Sequence, residues 1–273
     1  MTAREKYQKL ITIITGHGPM LIAYSGGVDS TLLAVIAKNA LGEKTRCVLL
    51  DSPMVPRSEV HHAQELAEEL RLSLDIIPVP HMDHQVFCSN PAIRCYYCKQ
   101  ISAQYLKRRA EELGLGCIAD GMNVSDTGEH RPGLAASTEE GIVHPFIEAG
   151  ITKQDIRDIA RMLNLPVWQK PSAACLASRI PYGDAITRDK LGMIEEAEEY
   201  LAGLGIGQLR VRLHGNLARI EVNKGDMRKI LAHQEPIAEK FRSLGFAYVA
   251  LDIQGYRSGS MDEVIRHKKR GGT

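Results

Sequence analysis

Six consecutive residues, Ser25-Gly26-Gly27-Val28-Asp29-Ser30, have the composition of a cradle for a chain of phosphates. Gly26 and Gly27 let the backbone approach an anion closely, and Ser25, Ser30 and Thr31 add hydroxyl donors. A helix that starts here leaves its first N–H groups without internal partners. They face the anion with the positive end of the helix dipole behind them. Asp29 is placed to hold the Mg2+ that accompanies ATP, directly or through water. Taken alone, it is a helix-start carboxylate worth about 0.3–1 kcal/mol. No Gly-Lys-Ser/Thr follows the glycines, which excludes a Walker A loop. A dinucleotide fingerprint is excluded by the lack of a third spaced glycine.

Thiols form the second group. Arg94-Cys95-Tyr96-Tyr97-Cys98-Lys99 places two cysteines three residues apart. That spacing can grip one soft metal or cluster, or form a redox pair at a helix start. Cys88, His81 and His84 lie nearby in sequence and make zinc an alternative. Cys175 is flanked by small residues between proline breaks, in a loop over 172–183 that reads as catalytic. With Cys95 and Cys98 it would complete the protein side of a 4Fe-4S cluster with one iron open. Cys47 and Cys117 fall in strands and are expected to be inert core thiols.

Cations form the third. Arg210 and Arg212 flank Val211 and share a strand face, with His214 beside them. They suit a carboxylate or phosphate clamp, or a solvated face. Arg179 follows Cys175 by four residues and is expected in the same crevice. Lys153 reads as a phosphate contact or a solvated helix lysine, and Asp51 as a nucleoside-side ligand or a strand-end cap.

The elements that must position these groups follow from periodicity. Residues 4–15 read as a leading helix, Leu21–Tyr24 after Met20 as a buried strand, and 30–41 as a helix. Thr45–Leu50 is a second strand, and Val60, Ala63, Ala67 and Leu70 give 57–71 a helical stripe. Leu74–Val79 is a third strand, 81–98 is irregular, 99–113 is helical, and Cys117–Ala119 is a strand ending in Asp120-Gly121-Met122-Asn123. Thr152 to Asp155 fits a capping box. Strands alternating with helices predict an α/β fold, a doubly wound parallel sheet with ligands beyond the carboxyl ends of its strands. That gathers Ser25–Ser30, Asp51 and Ser52 around one crevice. After Thr187 the pattern becomes a helix, then strands Leu209–His214 and Leu217–Asn223 joined at Gly215-Asn216, then a helix over 226–243 and alternation over 246–253. The expected organisation is a nucleotide domain at 1–171, a catalytic loop and join at 172–186, and a smaller C-terminal α+β domain at 187–273. His267-Lys268-Lys269-Arg270 reads as a solvated tail.

At 273 residues, with 44% hydrophobic and 25% charged residues, the chain can bury a large core. Its net charge of +1 calls for neither nucleic acid nor an anionic membrane. No apolar run approaches the ~18 residues a membrane span needs, and no apolar signal core follows the charged start. A cytoplasmic protein with reduced thiols is expected.

Ser-Gly-Gly-Val-Asp-Ser resembles the PP-loop of the N-type ATP pyrophosphatases, which cleave ATP between the α- and β-phosphates and adenylate a substrate. Through Ser25–Ser30, Asp51-Ser52-Pro53, Ala119–Asn123, Ala174–Arg179 and Gly255–Met261, nearly the whole chain resembles the ATP-dependent sulfur transferases of the LarE family. Those enzymes adenylate a carboxylate of pyridinium-3,5-biscarboxylic acid mononucleotide in building the nickel-pincer nucleotide cofactor. The resemblance implies an adenine nucleotide α-hydrolase-like domain that uses ATP and Mg2+. It implies Cys175, Arg179 and Asp29 as catalytic residues. Ser25, Gly26, Gly27, Asp29, Ser30, Thr31, Asp51, Gly121, Asn123 and Lys153 would surround the nucleotide, and Arg179, Arg210 and Arg212 the substrate. Members with a single cysteine give up its sulfur. This sequence adds Cys95 and Cys98 and so resembles the three-cysteine branch, in which a 4Fe-4S cluster on Cys95, Cys98 and Cys175 carries an extra sulfide. A homo-oligomer with a small-molecule nucleotide substrate, and no nucleic-acid or membrane partner, is the matching expectation. A tRNA thiolase is the competing reading, opposed by the near-zero net charge. A nucleotide- and metal-binding sensor without turnover is the reading of another class; it would bind ATP without forming AMP.

Overall fold

The computed structural model describes residues 1–127, 132–171, 173–257 and 259–261. Ser172, Ser258 and the basic stretch at 267–270 lie outside the described residues. The chain forms two compact units, one of residues 1–81 and 93–173, the other of 82–92 and 174–273.

The first unit begins with α1 (Ala3–His17), whose Thr2 and Glu5 form a capping box, and continues through β1 (Met20–Tyr24), α2 (Val28–Leu41), β2 (Thr45–Asp51), α3 (Arg57–Glu69) and β3 (Leu74–Pro78). After α4 (Gln85–Cys88), which belongs to the other unit, come α5 (Arg94–Glu112), β4 (Cys117–Ala119), α6 (Pro132–Glu139), α7 (Pro145–Ala149) and α8 (Lys153–Met162). The strands are all parallel, in the order β3-β2-β1-β4. Side-chain alternation divides the apolar residues between two faces. Ile22 and Tyr24 of β1 and Leu49 of β2 pack with Leu33 and Ile36 of α2, Val60 of α3 and Ile159 of α8. Leu21 and Val48 meet Ala103, Leu106 and Ala110 of α5 on the opposite face. Each fully buried Leu or Ile contributes about 1.5–3 kcal/mol, so these two apolar layers hold the sheet. The crossovers through α2 and α3 lie on one face and that through α5 on the other. This is the expected doubly wound arrangement, and it puts a topological switch point between β1 and β4, where ligands of such sheets bind.

Two details differ from the sequence reading. The helix expected at 99–113 starts at Arg94, so Cys95 and Cys98 sit on regular helix. Cys and Tyr are weak helix formers, but packing overrides propensity. Arg94 is buried, and Gly133 lets α6 approach until a Cβ there would stand 3.4 Å from Lys99 and 3.6 Å from the Cys95 carbonyl. Helices α6 and α7 are short and left no periodic signal.

The second unit holds α9 (Arg188–Gly203), β5 (Leu209–His214), β6 (Leu217–Val222), α10 (Met227–Ala232), α11 (Gln234–Ser243) and β7 (Tyr248–Leu251). Gly215, at φ 59°, turns the antiparallel β5–β6 hairpin, and β7 pairs parallel to β6. The single helix expected at 226–243 is split at His233. Residues 82–92 group with this unit because the Asn90 amide donates to the carbonyls of Ile180, Pro181 and Asp184, and the Cys88 carbonyl accepts from the Ile186 N–H. The first unit ends at residue 173. Among the described residues no helix is long and apolar enough to cross a membrane.

Candidate active site

The Ser25–Ser30 loop leaves the carboxyl end of β1 and enters α2 with Gly27 at the N-cap. Its shape is fixed from within and from both sides. The Ser30 hydroxyl donates to the Gly27 carbonyl (3.2 Å) and accepts from the Ser25 N–H (3.2 Å), with Ser25 Oγ at 3.1 Å. Gly26 has φ 67°, and a Cβ there would lie 2.6 Å from Ala63 Cβ on α3. Gly121, just past β4, would carry a Cβ 2.9 Å from the Ser30 nitrogen. Both glycines are therefore dictated by close backbone approach. Gly27 differs: φ is −81°, and the nearest atom to a Cβ is Ser25 Oγ at 3.5 Å. Its open side is the cradle. Lys170 Nζ reaches the Gly26 carbonyl (3.4 Å) and Glu59 (2.7 Å), bracing the loop from beneath.

Asp29 projects from the first turn of α2. One carboxylate oxygen pairs with Lys153 at the start of α8, which Thr152 and Asp155 cap as predicted. The other is buried and has no hydrogen-bond partner among the described residues. Burial pushes this carboxyl above its ordinary range, with the Lys153 charge opposing. An orphaned carboxylate oxygen facing a phosphate cradle is a hard-oxygen donor of the kind Mg2+ takes, so the residues fit that ion. Lys153 is thus brought to the loop and is not a solvated helix lysine.

Other expected nucleotide residues have mixed placements. Thr31 is fully buried in the core layer, one turn into α2, so its side chain is not on the cradle; this corrects the expectation of a third hydroxyl donor. Asp51 ends β2 and pairs with Arg57 at 2.6 Å, while Arg57 also donates to the Ser52 and Val55 carbonyls. Asn123 is buried and caps the turn Val124–Asp126 by accepting from the Ser125 N–H at 2.9 Å. The Ser125 hydroxyl in turn accepts from the Lys153 N–H, so Asn123 acts through the turn that seats α8.

The sequence reading placed Asp120 at the ligand edge but gave it no part. It is buried there, accepting from the Met122 N–H (3.1 Å) and lying 2.7 Å from His144 Nδ1, with Lys99 Nζ at 3.7 Å. Burial alone would raise its pKa, but His144 and Lys99 hold the carboxyl below its ordinary range. His144 lies just before α7, a helix without a sequence signal.

In the second unit, Cys175 is exposed at the head of a 3-10 turn, Leu176–Arg179. Arg179 is buried and grips Glu198 with two parallel bonds of 3.0 and 2.9 Å, while its third nitrogen donates to the carbonyls of Ala174 (2.6 Å) and Cys175 (2.8 Å). Glu198 also accepts from the Val211 N–H. Arg179 therefore shapes the cysteine loop from behind, where the sequence reading put it against substrate. Arg210 and Arg212 share a face as the alternation requires, but both are buried, which removes the solvated-face reading. Arg212 donates twice to the fully buried Glu221 (3.1 and 3.0 Å) and to the Ser178 carbonyl (2.9 Å). Its guanidinium is spent on scaffold. Arg210 lies 5.3 Å from the Tyr256 ring centroid and donates to the Leu209 carbonyl. Burial lowers its pKa, and Arg179 adds to the effect.

The remaining thiols divide by environment. Cys47 is buried and pushed up to about 12, and burial also raises Cys117, as inert core thiols should be. Cys88 Sγ donates to the Met82 carbonyl, while His81 turns to Cys98. Among the described residues no three of His, Cys, Asp and Glu gather closely enough to hold a metal ion. The described residues thus give no support to the zinc alternative or to the expected 4Fe-4S cluster.

Comparison with known proteins adds three findings. The family profile for NAD synthase matches residues 14–111, the stretch from α1 to α5 that contains the phosphate loop. An uncharacterised protein of Synechocystis sp. is 38% identical over 247 residues, 90% of this chain and 92% of that protein. The pyridinium-3,5-bisthiocarboxylic acid mononucleotide synthase of Lactiplantibacillus plantarum is 32% identical over 265 residues, 97% of this chain and 96% of that protein.

Proposed function

Because the chain belongs to the LarE family of sulfur transferases, within the PP-loop superfamily, we propose that it adenylates a carboxylate of pyridinium-3,5-biscarboxylic acid mononucleotide and exchanges a carboxylate oxygen for sulfur. The observation that carries this reading is the cradle itself. Its loop has no lysine, and it has an open Gly27, an orphaned Asp29 oxygen and an incoming Lys153.

Backbone N–H groups at the start of α2 would hold the leaving pyrophosphate, and Ser25 and Ser30 would fix the loop around it. Asp29 would hold Mg2+, which supplies charge neutralisation to the triphosphate when bound. Lys153, released from Asp29, would meet a phosphate oxygen. The substrate carboxylate attacks the α-phosphorus and pyrophosphate leaves. The resulting mixed anhydride is an acyl donor that the free carboxylate is not. Cys175, exposed and with its carbonyl held by Arg179, is the thiol that takes the acyl group as AMP leaves. Loss of its α-proton and cleavage of its Cβ–S bond would then release the thiocarboxylate and leave dehydroalanine at position 175. Arg210 would face the anionic mononucleotide. No step is routed through a cluster.

Chromatography of a reaction with ATP, Mg2+ and the mononucleotide tests the assignment. AMP and pyrophosphate are expected. ADP and phosphate would overturn it, and ATP binding without hydrolysis would favour the sensor.

A further inference from the structure

The peptide between Gly26 and Gly27 has glycine on both sides. Rotating its plane changes ψ of Gly26 and φ of Gly27, and a half-turn would carry Gly27 from φ −81° to a positive value. Glycine accepts both signs readily, and no Cβ resists the turn. The direction of this peptide decides what the cradle presents. In a trans peptide the carbonyl and the N–H that follows it point opposite ways. With the Gly26 carbonyl turned down, the Gly27 N–H faces the open side. Turned over, the carbonyl oxygen would meet the phosphates and repel them.

One side chain is placed to set that direction. Lys170 Nζ lies 3.4 Å from the Gly26 carbonyl and 2.7 Å from Glu59. The two side chains are 17% and 28% exposed, so this is not the freely solvated pair that contributes little. The backbone that carries the lysine is fastened. The Lys170 N–H donates to the Val167 carbonyl (2.9 Å), and Arg157 of α8 donates to the carbonyls of Trp168 (3.1 Å) and Lys170 (3.2 Å). Glu59 stands one turn before Ala63 on α3, the residue that Gly26 packs against. One helix thus supplies both the floor under Gly26 and the carboxylate that steers the ammonium to its carbonyl.

We propose that Lys170 is a positioning residue for phosphate binding: it locks the Gly26–Gly27 peptide with its N–H toward the anion, and Glu59 aims it. The ammonium attracts the negative end of the peptide dipole and leaves the positive end to the phosphates. Lys170 acts through the peptide and not on a phosphate. That role rests on the cradle reading above, in which the loop holds pyrophosphate.

Calorimetric titration of the full-length protein with MgATP, with pyrophosphate and Mg2+, and with AMP tests it. Lys170→Met should weaken MgATP and pyrophosphate about tenfold or more and AMP by less than about twofold, because AMP lacks the pyrophosphate that the cradle holds. Lys170→Arg keeps the charge and a donor and should recover most of the loss. Glu59→Ala should weaken the same two ligands about threefold or more, and in the double variant the losses should not add, because both act through one ammonium. Should Lys170→Met fail to fold, Glu59→Ala carries the test with the same three ligands. An unchanged MgATP affinity in Lys170→Met would overturn the proposal, as would an equal loss for AMP or losses that add in the double variant. Any of these in a protein whose wild type binds MgATP contradicts only this inference. A wild type that binds neither MgATP nor pyrophosphate contradicts the cradle reading, and this inference with it.

Discussion

Gly26→Ala and Gly27→Ala add the same methyl group one residue apart, and the structure gives them opposite consequences. At Gly26 the added Cβ falls 2.6 Å from Ala63 Cβ and 2.8 Å from Ala63 Cα, at φ 67°. A left-handed conformation costs an alanine roughly 1–2 kcal/mol, and overpacking adds about 1–3 kcal/mol, so the loss is about 2–5 kcal/mol. That is a large share of the ~5–15 kcal/mol a domain has. At Gly27 φ is −81° and no neighbour is nearer than 3.5 Å, so the fold should change by less than about 1 kcal/mol. The methyl instead fills the side open to phosphate. Loss of one charge-assisted hydrogen bond is worth about 1.5–3 kcal/mol, or roughly 10- to 150-fold in ATP affinity. Urea unfolding measures the first quantity and calorimetric titration with MgATP the second. Ala63→Gly in the Gly26→Ala background should relieve the contact with the Ala63 Cβ but neither the 2.8 Å approach to the Cα of residue 63 nor the dihedral cost. The reasoning fails if Gly27→Ala binds ATP like the wild type, or if it loses as much stability as Gly26→Ala.

Four further outcomes are expected. Asp29→Asn should leave thermal stability at neutral pH equal or higher while lowering AMP formation at least about 100-fold. The sign follows from the raised pKa: the contribution of Asp29 is greatest when protonated and falls as pH rises from 3.8 through the folded value, so a neutral amide avoids the cost of a buried anion. Asp120 has the opposite sign: its depressed carboxyl contributes stability above the ordinary value that is lost as pH falls through the folded one. His144→Ala should therefore start acid unfolding at higher pH, and an unshifted acid limb by circular dichroism counts against the pair. Arg179→Gln breaks a buried carboxylate pair and should cost about 3–5 kcal/mol in unfolding, whereas Arg210→Ala should chiefly weaken mononucleotide binding, read by titration.

Elements with strong local signals were legible. The apolar strand before the paired glycines, the Thr152–Asp155 capping box and the Gly215-Asn216 turn are each set by neighbouring residues, and the structure has all three. What depended on distant contacts was not. The role of Arg179 is decided by Glu198, nineteen residues away on α9, and that of Arg212 by Glu221 on the neighbouring strand. A period-two pattern can place arginines on a face but cannot say whether that face is buried against carboxylates. Thr31 next to a phosphate loop looks like a donor until helical geometry turns it into the core. His144 and Asp120 are joined across α6, a helix with almost no amphipathic pattern.

The central claim is that a substrate carboxylate is activated by adenylation, and isotope transfer tests it directly. The mononucleotide is labelled with oxygen-18 in its carboxylates and incubated with ATP, Mg2+ and protein, and the AMP is weighed. Attack of the carboxylate on the α-phosphorus, followed by sulfur attack at the acyl carbon, leaves one labelled oxygen on AMP and none on pyrophosphate. Unlabelled AMP, or label found in phosphate released with ADP, would contradict the account.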